Sequence, residues 1–304
     1  MNMLVAEQFL NGIQFGISLF LMSAGLTLIF GIMGVINLAH GSLYMIGAYA
    51  AALVAAKTGS VLLALIAGLA GAGVAGLLLE VLVINRLYDR DHLDQVLATF
   101  ALILIINETA TILVGRQPLF VAMPPVFSGS VTLLPGLVYP VYRLVVIGVG
   151  LVVGAGLYVL INKTRVGMLV RAGATSRDMV RALGVDIKAL YTLVFGLGAV
   201  LAGLAGAMAG PVLSVQVGMG EQILILAFVV VVIGGVGSVR GAFYGALLAG
   251  LIDTLTRAFL PGLLRHVMNG SDADALGSGL SSMGVYLLMA IVLLVKPRGL
   301  FVKS

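Results

Sequence analysis

Cysteine and tryptophan are absent from this 304-residue chain, and charge is scarce, with 17 Lys+Arg and 12 Asp+Glu making up 10% of it. The missing cysteine excludes disulfides and thiolate metal sites, but it does not separate one compartment from another. The shortage of charge excludes a soluble domain, because 61% hydrophobic residues and a mean hydropathy of +1.18 lie far outside the soluble range. The net charge of +5 is no sign of a nucleic-acid partner, since the basic residues gather in loops between apolar runs. The three histidines, His40, His92 and His266, form no metal-ligand pattern. A phosphate-cradling loop is also missing, because Lys57-Thr58 and Lys163-Thr164 lack the preceding glycine. With neither a nucleophile and its base nor a nucleotide loop, the chain is expected to hold no cofactor and not to act as an enzyme by itself.

What remains is apolar sequence in long runs. No Asp, Glu, Lys or Arg occurs between Gln8 and Ala56, a stretch that as helix extends roughly 70 Å and can cross a ~30 Å hydrocarbon core twice. Further charge-free runs cover Ser60–Leu79, Leu144–Asn162, Ala189–Gly220 and Gln222–Val239, with shorter apolar stretches near 96–114, 241–260 and 281–295. A membrane barrel needs weak alternating segments, whereas these runs are continuous and rich in Leu, Ala, Val and Gly. The reading is one all-α polytopic membrane domain over 1–304, with eight to nine spans, Gly-rich interruptions and a cytoplasmic helix. Residues 8–30 are expected to stay as a span, being longer than a signal core and lacking a basic leader.

Orientation follows from the basic residues. The loop 162–188 carries Lys163, Arg165, Arg171, Arg177, Arg181 and Lys188 against only Asp178 and Asp186, which places it in the cytoplasm. Counting outward puts 85–94, 236–241 and the tail inside, and 57–60, 115–142, 210–221 and 261–280 outside. Twelve of the 17 Lys and Arg then lie inside. If Gly31–Ser42 turns at the inner face, the N-terminus is outside; if 34–42 instead breaks one embedded helix, it can be inside. Within the basic loop, Thr175 or Ser176 can cap a short helix containing Asp178, Met179, Ala182 and Leu183, ended by Gly184.

Small residues recur at four-residue spacing: Gly12 and Gly16; Gly68, Ala72 and Gly76; Gly150 and Gly154; Gly198, Ala202, Gly206 and Gly210; Gly237, Gly241, Gly245 and Ala249. Such ridges let helices approach closely in lipid. In two places glycine clusters with polar residues, Gly31–Ser42 and Gly234–Gly241. Each is either an unwound stretch of the kind that lines a transport path or a tight turn. Asn37, His40, Ser42, Gly234 and Gly235 are therefore candidate pathway residues. So are Asn107 and Glu108, the latter taken as the only acid well inside a span. Glu80 is expected to snorkel or to pair with Arg86.

The stretch from Gly25 to Tyr49, GLTLIFGIMGVINLAHGSLYMIGAY, resembles the N-terminal signature of LivH-type permease subunits of the branched-chain amino acid ABC transporter family. Thr164–Gly167, Arg171-Ala172, Ala182–Gly184, Leu201–Gly206 and Val230–Ala242 are similar to the same family's coupling loop and late glycine-rich segment. The resemblance implies a heteromeric importer of the bacterial inner membrane. In it the chain stands beside a second, homologous permease subunit, two cytoplasmic ATPase subunits that bind ATP and Mg, and a periplasmic binding protein delivering a small amino acid. It further implies that Gly167, Arg171, Ala172, Asp178, Ala182 and Gly184 form a coupling helix seated on an ATPase. The outer segments, with Gln216 and Glu221, would meet the binding protein. The same architecture also carries urea, short amides or aromatic acids. Two other readings stay open: an ion-coupled secondary transporter using Glu108 or His40, and a passive channel.

Overall fold

The computed structural model describes residues 2–301, apart from the side chains of Asn2, Arg177 and Asp178. The side chain of the coupling candidate Asp178 and the tail residue Lys303 thus lie outside the described residues. The chain forms helices α1 (Asn2–Met33), α2 (His40–Thr58), α3 (Val61–Leu82), α4 (His92–Val114), α5 (Val141–Lys163), α6 (Arg165–Thr175), α7 (Arg177–Ala182), α8 (Ile187–Ala209), α9 (Met219–Gly234), α10 (Val239–Leu264) and α11 (Gly270–Val295). Among the described residues seven helices, α1, α3, α4, α5, α8, α10 and α11, are long and apolar enough to cross a membrane. The 16-residue α9 is apolar but shorter, and the 19-residue α2 begins on a polar turn.

Strand is not wholly absent. Ser130–Leu134 (β1) and Leu137–Pro140 (β2) pair as an antiparallel hairpin around Pro135-Gly136, with Gly136 at φ +89°. This small cap amends the all-helical expectation for the 115–142 segment without altering the fold class.

α1 is the axis of the bundle. Its large side chains Ile17, Leu19, Phe20, Leu21, Met22, Leu26 and Ile29 are fully buried, and α5, α8, α9 and α10 pack around it. The surrounding helices are sorted by residue size. α3 buries Ala64, Gly68, Ala72, Gly73, Gly76 and Glu80, while Leu62, Leu63, Ile66, Leu77 and Leu78 face outward. α10 likewise buries Gly241, Ala242, Gly245, Ala246, Ala249, Gly250 and Asp253. Lipid is as apolar as leucine, so large side chains gain nothing by turning inward, and close backbone approach becomes the main attraction. Some of the expected ridge residues make these contacts, and so do small residues outside the ridges. Gly12 and Gly16 meet Gly250, Ala246 and Leu247 on α10, and a Cβ on Gly47 would fall inside the backbone of Gly203 on α8.

The loops sort to two ends. At the end that carries the basic 162–188 loop, the loop end, Tyr88 and Thr192 both donate to Glu80, Tyr191 Oη donates to Ile32 O, and Leu300 N–H donates to Ile233 O (2.9 Å). At the hairpin end, Tyr142 Oη donates to Met208 O (2.8 Å), and Leu119 bridges Val215. A Gly47→Val substitution should destabilise the bundle by about 1–3 kcal/mol through overpacking. The expected result is a lowered melting temperature of the detergent-solubilised protein, and an unchanged one would contradict the α2–α8 contact.

Candidate translocation pathway and coupling surface

The first glycine cluster is an unwound strap. α1 ends at Gly34 (φ +63°), whose N–H donates to Phe30 O (3.0 Å), and residues 34–37 are non-helical before α2 starts at His40. The strap climbs back into the bundle: His40 Nε2 lies 3.0 Å from where a Cβ on Gly25 would sit, and Gly25 packs on Gly198 of α8. Gly25 is eight residues before the end of α1, about 12 Å of helix. The chain therefore turns near the loop end, and α2 enters well inside the bundle.

Non-helical backbone at such depth must find partners. The Ile36 N–H donates to Gln95 Oε1 (3.2 Å) and the Leu38 N–H to Thr99 Oγ1 (3.2 Å), from residues that are buried in α4. Gln95 Nε2 in turn donates to Leu87 O and Arg90 O, both 3.1 Å. The side chains are less well provided for. Asn37 and His40 are fully buried, and neither the Asn37 amide nor the His40 ring makes a hydrogen bond of normal geometry, although the ring faces the Met22 backbone. Ser42 is buried on the next turn.

The second glycine cluster is a turn. Gly235 (φ +95°) and Gly237 (φ +77°) reverse the chain at the loop end, and Ser238 Oγ accepts from Gly241 N (3.0 Å) to cap α10. Arg240 is exposed there and sits over the Tyr158 ring, 4.8 Å from its centroid. Gly234 is buried against Gly241, and Gly31 packs on Gly237, so the two clusters do touch.

A second deep helix start escaped the sequence reading. α9 begins at Met219 after the turns of 210–218, and its Gly220 packs backbone to backbone on Gly41 of α2. One residue on, Glu221 is half-buried and accepts from Asn107 Nδ2 on α4 (2.5 Å). Two residues singled out for different roles are thus brought together. Glu108 points the other way and is exposed, and Gln216 is half-buried in the turn before α9.

Two acids within long helices have identifiable partners. Glu80 does not pair with Arg86; it is 1% exposed and accepts from Tyr88 Oη (2.5 Å) and Thr192 Oγ1 (2.8 Å), joining α3 to α8. Burial foremost, and then the Glu80 carboxylate, push the Tyr88 hydroxyl above the ordinary tyrosine range. Asp253 is a second acid within a long apolar helix, 8% exposed and paired with Arg257 at 2.9 Å, one turn on. With Gln8, Asn11, Gln14 and Arg143 these two line a polar cleft of about 400 Å³ toward the hairpin end.

The basic loop folds into two capped helices. Thr164 Oγ1 accepts from Gly167 N (3.1 Å) to open α6, Ser176 Oγ accepts from Met179 N (3.4 Å) to open α7, and Gly184 at φ +82° follows α7. Gly167 is buried against the α5 carbonyls of Leu160 and Ile161, and Arg171 Nη1 donates to Ile161 O. Ala172 and Ala182 are exposed, as are Met168 (55%), Met179 (62%) and Leu183 (76%), in a setting of arginines.

Residues 8–295 match the family model described as branched-chain amino acid transport system / permease component. The chain is 27% identical over 324 aligned positions to the high-affinity branched-chain amino acid transport system permease protein LivH of Escherichia coli K12, covering 97% of this chain and 94% of that protein. BraD of Pseudomonas aeruginosa, the permease protein of the same kind of system, is 27% identical over 308 positions with the same coverage. A probable LivH of Methanocaldococcus jannaschii is 27% identical over 148 positions, 48% of this chain. No solved structure matches.

Removing the buried Glu80 carboxylate takes away the acceptor of the half-buried Tyr88 hydroxyl and one of two acceptors of Thr192, whose hydroxyl also reaches Lys188 O (3.1 Å). Glu80→Ala should cost about 1–3 kcal/mol and Glu80→Gln distinctly less, read by thermal unfolding in detergent; equal melting temperatures for the two variants would contradict the assignment.

Proposed function

Since the chain belongs to the permease-component family of branched-chain amino acid transport systems, we propose that it is one membrane-spanning subunit of an ATP-driven importer for leucine, isoleucine and valine. The observation that carries this reading is the strap at 34–39, deep in the bundle, with the Asn37 amide and the His40 ring buried and without a hydrogen bond of normal geometry. Orphaned polar atoms in a membrane interior cost free energy in this conformation, and they make sense where a polar solute passes in another. The candidate pathway then comprises Asn37, His40 and Ser42 with the adjoining Asn107, while Gly234 and Gly235 form the turn that the strap rests against.

The chain has no nucleotide loop of its own, so the motor belongs to separate ATPase subunits holding ATP and Mg. The exposed apolar Met179 and Leu183, beside Arg181, support α6 and α7 as the surface that docks on an ATPase. Gly167 and Arg171 fix α6 to the end of α5, with Ala172, Ala182 and Gly184 at the contact. The excess of Lys and Arg at the loop end supports a cytoplasmic position for it and for the C-terminus in the bacterial inner membrane. The hairpin end, with 115–142, 261–280 and the turn holding Gln216 ahead of Glu221, would then receive a periplasmic binding protein. A second homologous permease would complete the pathway.

ATP-dependent uptake of labelled leucine by the reconstituted complex tests the reading, with urea and aromatic acids as competing cargo. Uptake should require the ATPases and persist in Glu108→Gln. Transport by this chain alone, or loss of uptake in that variant with ATPase intact, would favour an ion-coupled carrier. Leu183→Asp should lower ATPase co-purification about tenfold, or 1.4 kcal/mol, without changing the melting temperature; undiminished co-purification would move the docking surface elsewhere.

A further inference from the structure

α5 and α10 both pack on α1 but touch each other little, so a groove runs between them with α1 as its floor. In the half nearer the loop end it encloses about 430 Å³. Small residues of α5 keep it open: at Gly154 a Cβ would already reach the Phe20 ring at 3.2 Å, and Ala155 is exposed on the wall. The floor and the opposite wall are aromatic. Phe20 of α1 and Phe243 of α10 meet edge to face with centroids 5.1 Å apart, and Tyr244 leans on Phe301 of the tail, also at 5.1 Å.

The mouth of the groove is cationic. Arg240, in the first turn of α10, stands there with Tyr158 and Asn162 from the last two turns of α5. Tyr158 holds the guanidinium in place, since its ring centroid is 4.8 Å away and its Oη accepts from Arg240 Nη2 (3.1 Å). An arginine has five side-chain N–H donors, and among the described residues the other four find no protein acceptor. Its charge is unbalanced as well. The ion pairs among the described residues are Arg257 with Asp253 and Arg265 with Asp274, so no carboxylate lies within 4 Å of Arg240, or of Lys163 and Arg165 just beyond Asn162. The Asp186 carboxylate at this end is taken up by the N–H groups of Lys188 and Ala189 at the start of α8.

An aromatic groove between helices with an uncompensated arginine at its mouth matches an amphiphile whose acyl chain ends in an anionic phosphate. Guanidinium binds phosphate through two parallel hydrogen bonds. The chain itself gains little over its place in the bilayer, because lipid is as apolar as the groove, so selection falls on the headgroup. We propose that the groove binds one anionic phospholipid of the leaflet on the side of the basic loop, with its phosphate on Arg240 and an acyl chain along Phe20 and Phe243. Bound there, the lipid braces the Gly234–Gly241 turn, to which Arg240 belongs and against which the strap rests. The site shares no residue with the candidate pathway and is independent of which solute the chain carries.

The test is native mass spectrometry of the purified, delipidated full-length chain, titrated with phosphatidylglycerol or with zwitterionic phosphatidylethanolamine of the same chains. Wild type should hold one phosphatidylglycerol about fivefold or more tighter than phosphatidylethanolamine, the worth of one arginine near an anionic headgroup. Arg240→Gln should bring that preference within about twofold, while Ala155→Leu, which fills the groove, should weaken both lipids and leave the preference unchanged. Phosphatidylglycerol should also raise the melting temperature of wild type and not that of Arg240→Gln. Equal binding of the two lipids by wild type, an unchanged preference in Arg240→Gln, or displacement of the lipid by inorganic phosphate would overturn the site. Because the chain has no cysteine of its own, Ala155→Cys reports what covers the groove in the assembled complex. It should react with a lipid-soluble maleimide there as fast as in the isolated chain; protection by a partner subunit would assign the groove to protein and refute the lipid.

Discussion

Everything unusual in this bundle depends on one requirement, that backbone leaving a helix inside a membrane keep its hydrogen bonds. The strap of residues 34–39 meets it through Gln95 and Thr99, which lie four apart on α4 and so present both acceptors on one stripe. Further along the same stripe, Asn107 holds the first turn of α9 through Glu221. α4 exposes most of its remaining surface. Its attachment is thus largely polar, whereas the α1–α10 and α2–α8 joints are van der Waals contacts of small residues.

That contrast divides the protein into two kinds of joint. The α1–α10 and α2–α8 joints are glycine and alanine ridges in which backbone rests on backbone, and they resist any change because no side chain can rearrange to absorb it. The joints of α4 with the strap and with α9 are hydrogen bonds, two and one respectively, which can be exchanged for other polar partners without repacking side chains. A transport path needs both, rigid helices and a few separable contacts, and here the separable ones surround the two deep helix starts.

Much of this was legible in the chain. The apolar runs marked the long helices, the four-residue spacing of small residues marked many of the faces that pack, and Ser176 and Gly184 marked the ends of α7 through local chemistry alone, whereas Thr164, which caps α6, went unread. The hairpin had a signal, Pro135-Gly136 between β-prone residues, but it is swamped by a reading tuned to spans. Asp253 sat in plain view inside an apolar stretch, and its turn-mate Arg257 explains how it is tolerated. The depth at which α2 and α9 begin was not legible. It is set by Gly25–Gly198 and Gly41–Gly220, contacts between residues more than 150 positions apart, and the convergence of two helix starts exists only once those contacts form. The second glycine cluster has the composition of a broken helix and the geometry of a turn, since Ser238 can cap α10 as soon as Gly237 takes a positive φ.

The tail adds a matter of order. Leu300 and Phe301 donate their N–H groups to the carbonyls of Ile233 and Gly234, and Gly299 packs on Gly235, so the end of α9 is closed by residues that come only after α10 and α11 in the chain. Until residues 299–301 have been synthesised, the turn between α9 and α10 lacks these partners. The turn that supports the strap is therefore completed only after the sequence of two further spans has been made, and the pathway region stays unfinished while they insert.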